Sequence, residues 1–350
     1  VGSEMCIRDR VRQRVLERTL EAFYDALDEG GAALADTLGA GRDDRALESL
    51  VLEIHEKLQS HAYPEQWLEK NQASWSALDG SFDATPYAAA LLTDVRRQAA
   101  HWASLLRRSA AETAGDEALE RGYGEKFCAS AELFDTLAGC GSWEEARQAA
   151  GAIVFPRLTT PRGRKDEPEI VTLKEVWEAC KAQYKKLIKL LDVSGEEAME
   201  DLRAVAPAME ALLRLTGAFS QRYQAEKLRL NAADFSDQEH LALRLLVEED
   251  GAPTELGRQV SQRYQEILVD EYQDTNEVQN AIFRAVSQNG QNIFTVGDVK
   301  QSIYRFRQAM PEIFIHKRSA YHDYDGQNYP ARIVLSNNFR SRSQVCLLYT

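Results

Sequence analysis

Three apolar residues, Ile267-Leu268-Val269, run straight into two carboxylates, Asp270 and Glu271. A run this short and this apolar reads as a buried strand of a parallel sheet. In an open α/β sheet, ligands bind beyond the carboxyl ends of the strands, where Asp270 and Glu271 would stand. An Asp at such a strand end can hold Mg²⁺ on the phosphates of a nucleotide. An adjacent carboxylate can orient or deprotonate the attacking water. A plain acidic turn after a strand fits these five residues equally well.

Two further strand-like runs follow, at 292–296 and 332–335, separated by helical stretches at 276–287 and 311–321. That alternation is the sign of a parallel α/β sheet. The run at 292–296 again delivers polar groups at its carboxyl end, Gly297-Asp298-Val299-Lys300-Gln301. Gly297 permits a tight turn. The Gln301 amide can sense a terminal phosphate. Beyond it, Tyr304 and Phe306 are interleaved with Arg305 and Arg307. Rings between cations suit a single strand of nucleic acid, with bases on the rings and phosphates on the guanidinium groups. Buried rings with solvated arginines would give the same pattern.

A net charge of −13 argues, taken alone, against a nucleic-acid partner. The charge is uneven, however. Over 296–342 the cations are Lys300, Arg305, Arg307, Lys317, Arg318, Arg332, Arg340 and Arg342, against the acids Asp298, Glu312, Asp323 and Asp325. Local balance decides for a partner lying in a groove.

Residues 11–230 read as almost entirely helical. Val11, Val15, Leu16, Leu20, Phe23 and Leu27 recur at helical spacing, as do Leu47, Leu50, Val51, Ile54 and Leu58 after the capping candidates Asp43 and Asp44. Thr85-Pro86 is a strong helix start. Residues 117–137 give one or two helices, 159–169 an exposed loop, and 171–191 and 196–228 long helices. Nothing in this region offers a nucleophile, a metal cluster or a phosphate loop. The tryptophans Trp67, Trp75, Trp102, Trp143 and Trp177 are expected to pack, and His55, His61 and His101 to take solvated or core roles. The five cysteines show no metal-ligand spacing. No apolar run approaches the ~20 residues that span a bilayer, and a cytoplasmic protein is the expectation. Residues 1–10 and 345–350 resemble translated sequencing-adapter DNA, so both are expected to add no native packing.

Asp-Glu-Tyr-Gln-Asp-Thr-Asn at 270–276, Val-Gly-Asp-Val-Lys-Gln-Ser-Ile-Tyr-Arg-Phe-Arg at 296–307 and Asn-Asn-Phe-Arg-Ser at 337–341 resemble three successive signatures of superfamily 1 helicases of the UvrD/RecB type. The signature at 296–307 is most similar to that of the AddA family of helicase–nucleases. Weaker similarity covers 43–69 and 234–246. Gln238 departs from the family, which usually has an apolar residue there.

The resemblance implies a P-loop NTPase of RecA-like α/β fold, a parallel-sheet motor domain that is incomplete here. A large all-α subdomain, 11–230, would be inserted in it, and 231–344 would be the returning core. It implies ATP and Mg²⁺ as cofactors. Asp270 would bind the metal and Glu271 would act on water. Gln301 and Arg340 would contact the γ-phosphate, Arg340 in the manner of an arginine finger. Tyr304 and Phe306 would stack on single-stranded DNA, with Arg307 linking DNA contact to the ATP site. No Gly-x-x-x-x-Gly-Lys-Ser/Thr occurs in the chain; the family carries it upstream of these motifs. Expected partners are single- and double-stranded DNA and an AddB-like protein, in the processing of double-strand ends. A repair helicase without a nuclease, or a helicase-like scaffold that never hydrolyses ATP, would carry much of the same pattern.

Overall fold

The computed structural model describes residues 2–38, 43–302 and 308–335. They fall into two compact units, one from 1–73 with 210–350 and the other from 74–209. Helices dominate both. No helix among the described residues is long and apolar enough to cross a membrane.

The 74–209 unit is all helix and loop. Thr85 caps the Pro86–Ala111 helix by accepting from the Ala88 N–H, as the Thr-Pro start predicts. A π-helical turn at Glu120–Gly124 leads into Glu125–Ala138. Gly122 is needed there because a Cβ would stand 2.4 Å from the Thr159 carbonyl oxygen. The Thr159 N–H donates to the Gly122 carbonyl, and the Tyr123 hydroxyl pairs with Thr160 at 2.6 Å. The start of the expected exposed loop is therefore pinned to this turn. At the centre, Phe127 stacks on the Pro168–Leu190 helix through Trp177, ring centroids 4.8 Å apart. Trp143 and Trp177 are both buried in this core.

The other unit joins helices to the strands. Gly2–Asp25 and Arg45–Leu58 follow the two predicted apolar stripes, the first beginning earlier than residue 11. Phe235–Leu246 opens on a capping box between Asp234 and Asp237. Gln238 is exposed there, so a polar residue costs no packing. Lys227 reaches this box from the Gly195–Arg229 helix, at 2.7 Å to Asp237 Oδ1 and 2.9 Å to Asp234 Oδ2. Its ammonium also lies 4.5 Å from the Tyr223 ring centroid. Nearby, His55 is buried and bonds Ser220 at 2.6 Å, and burial lowers its pKa to about 4. It is a core histidine held neutral.

Strands β1, Ile267–Val269, and β2, Ile293–Thr295, pair in parallel as expected, but they are not the buried strands the apolar run suggests: Leu268 and Phe294, opposite each other, are 73% and 55% exposed. The crossover helix Glu277–Val286 also starts on a capping box, Asn276 with Gln279. The third predicted strand needs correction. Only Ala331–Arg332 is extended and paired (β4), and its partner is β3, His322–Asp323, in a separate ladder. Ile333, Val334 and Leu335 are 59%, 66% and 83% exposed. Among the described residues 333–335 have no ladder partner, and an apolar run without one forms no strand.

Candidate functional site

The two parallel strands end side by side. The Val296 N–H donates to the Val269 carbonyl at 2.9 Å, and the Tyr272 N–H donates to the Val296 carbonyl at 2.8 Å. The ladder thus continues past both strands and delivers 270–274 and 297–301 to one place.

Asp270 is exposed and accepts the Glu271 N–H on Oδ1 at 2.9 Å. Glu271 has left-handed backbone, φ 50° and ψ 40°. For a residue with a Cβ this conformation costs roughly 1–2 kcal/mol. It turns the chain out of β1 and lets the short helix Tyr272–Asp274 fold back beneath the acids. Strain of this kind persists where the surroundings over-determine it, commonly at functional sites.

Tyr272 is fully buried under the turn, between Phe283 and Phe314. Its hydroxyl donates to Asn280 Oδ1 at 2.6 Å and accepts from Lys317 Nζ at 2.7 Å. Burial pushes the phenol up to about 12, and burial with the Arg284 charge lowers Lys317 to about 8. The floor of the site is thus a neutral phenol clamped from two elements.

Gln273 connects the two strand ends. Only 1% exposed, it donates from Nε2 to Glu271 Oε2 at 2.7 Å and accepts the Asp298 N–H on Oε1 at 3.0 Å. Asp298 caps the short helix Val299–Gln301, accepting the Lys300 N–H on Oδ1. Its other oxygen accepts from Gln301 Nε2 at 3.1 Å. Glu271, Gln273, Asp298 and Gln301 therefore form one hydrogen-bonded chain. Gly297 serves this chain by its size. Its φ is not positive, but a Cβ would stand 2.5 Å from Gln273 Oε1. The expectation of a conformational role for Gly297 gives way to one of close approach.

Of the residues singled out in the sequence, Asp270, Glu271 and Gln301 meet at these strand ends. Tyr304, Phe306, Arg307 and Arg340 lie outside the described residues. Gln273 is not legible in the sequence as a site residue, since a glutamine after two acids carries no local signal of a partner 25 positions away. The chemistry of the site is that of hard oxygen donors in water. Mg²⁺ suits it, because that ion keeps several waters and takes one or two carboxylates together with phosphate oxygens. The exposed Asp270 carboxylate can serve as such a ligand.

Known proteins share this pattern. Residues 37–322 match the family model described as the UvrD/REP helicase N-terminal domain. The chain is also similar to proteins named as the A subunit of an ATP-dependent helicase/nuclease. The one from Acetivibrio thermocellus is 35% identical over 96% of this chain and 28% of its own length. Those from Heliobacterium modesticaldum and Moorella thermoacetica are 34% and 36% identical over 96% of the chain, and 27% and 25% of their own lengths. The chain thus spans about a quarter of the length of the curated relatives it matches. With the match covering most of its residues, the chain belongs to the family of the UvrD/REP helicase N-terminal domain.

Proposed function

We propose that this chain carries one side of the motor's ATP site in an ATP-dependent DNA helicase–nuclease. The observation that carries this reading is the joining of Asp270, Glu271 and Gln301 at two adjacent parallel strand ends. The names of the relatives support the same reading. In it, 231–344 belongs to a RecA-like P-loop core, and 11–230 is a helical insertion of which 74–209 forms a unit by itself.

Bound Mg²⁺·ATP supplies the phosphoanhydride and the charge neutralisation that phosphoryl transfer needs. The Asp270 carboxylate holds the metal. The Glu271 carboxylate orients the attacking water and accepts its proton. Gln301 and Arg340 contact the γ-phosphate. Tyr304 and Phe306 stack on bases of single-stranded DNA, and Arg307 links that contact to the nucleotide. The full-length protein works in the cytoplasm on double-strand DNA ends, together with an AddB-like partner.

Gln301 and Tyr304 are three positions apart in the sequence, so in this reading one short signature carries both the phosphate contact and the stacking residues. Stacking on one aromatic is worth roughly 1–3 kcal/mol per base. Tyr304→Ala in the full-length protein is therefore expected to weaken single-strand binding by roughly 5- to 150-fold. It should depress DNA-stimulated ATP turnover more than basal turnover. Equal loss of both activities with a lowered melting temperature would show instead that Tyr304 is a packing residue.

A further inference from the structure

Glu271 is exposed, and a free glutamate side chain samples several rotamers about each torsion. A carboxylate that must meet one water from one direction loses most of its effect when it wanders. Here the carboxylate is held. Gln273 Nε2 donates to Glu271 Oε2 at 2.7 Å, and the Gln273 side chain is itself fixed at its other end. It is 1% exposed, accepts the Asp298 N–H, and has Gly297 against its Oε1 with no room for a Cβ.

We propose that Gln273 is a positioning residue that sets Glu271 for attack and ties that setting to the turn carrying Gln301. The inference rests on the reading of Glu271 as the group that acts on water. Its basis is the hydrogen-bonded chain. Gln301 donates to Asp298 Oδ2, the Asp298 N–H donates to Gln273, and Gln273 donates to Glu271. When Gln301 moves to meet a phosphate, its bond to Asp298 is altered. The change reaches Glu271 through a buried amide that cannot rotate away. The same side chain thus coordinates the water-activating group with occupancy of the phosphate position.

Three substitutions in the full-length protein test this. Gln273→Glu keeps the length and the acceptor for the Asp298 N–H, but sets an oxygen where the donor to Glu271 was. Gln273→Met removes both bonds at similar volume. Gly297→Ala leaves Gln273 intact and displaces it from the other side. None of the three side chains touches nucleotide in the proposed site. Each variant is expected to lower kcat for DNA-stimulated ATP hydrolysis by about 10- to 100-fold, with KM for ATP changed by less than about twofold. Two results would overturn the assignment. One is an unchanged kcat in Gln273→Glu. The other is a fall in kcat together with a raised KM and a lowered melting temperature in all three, the signature of a merely structural role. Glu271→Gln run alongside separates the two roles. If it turns over normally, the reading of Glu271 fails. If it is dead while Gln273→Glu is normal, only the role of Gln273 fails.

Discussion

Glu271→Gln in the full-length protein is expected to leave nucleotide binding intact and to lower ATP turnover by roughly 10²- to 10⁴-fold, the usual worth of a general base. The amide has the same shape, tolerates the same left-handed backbone and can still accept the Gln273 N–H. What it cannot do is take the proton of the attacking water. Asp270→Asn should differ by also weakening Mg²⁺-dependent nucleotide binding, because the ligand charge is lost. Equilibrium binding and turnover measured on the same preparations distinguish the two carboxylates. Normal turnover in Glu271→Gln would assign the exposed acid pair to the turn alone.

The other large effect concerns the fold. Lys227→Met is expected to destabilise the chain by roughly 3–5 kcal/mol, the cost of leaving a buried charge without its partner. Lys227 and Asp237 are 8% and 9% exposed at the side chain, and Asp234 shares the ammonium. Removing the cation strands two carboxylates that also close the capping box of the Phe235–Leu246 helix. Denaturant unfolding of the wild type and the variant measures the difference. A loss under about 1 kcal/mol, the range of an exposed pair, would show that solvent reaches the cluster.

Why these features differ in how visible they are in the sequence is a matter of range. The capped start at Thr85 needs only residues within four positions, and it is legible. β1 and β2 are legible because a short apolar run between polar turns has few other solutions. The 332–335 run shows the limit of that logic. Its pattern matches theirs, and exposure does not separate them, since Leu268 and Phe294 are themselves 73% and 55% exposed; β1 and β2 pair with each other along all three residues, whereas among the described residues only Arg332 of the third run is paired. Long-range polar pairs leave no periodic trace. His61 reads as isolated, yet it bonds Glu277 at 2.7 Å across 216 positions. Lys227, within a helical stretch that carries no sign of it, is buried between two acids. At the site, Asp270, Glu271 and Gln301 stand out because their chemistry is displayed at strand ends. Gln273 and Gly297 do not, because what they do depends on each other's position in space.

Whether these strand ends belong to an ATP-driven motor is decided most directly by ATP turnover. The measurement uses the purified full-length protein, with Mg²⁺, as single-stranded DNA is titrated in. The expected result is turnover that rises with DNA to about 1 s⁻¹ or more, within the ordinary enzyme range. Tight nucleotide and DNA binding with no turnover at any DNA concentration would contradict it and leave a helicase-like scaffold.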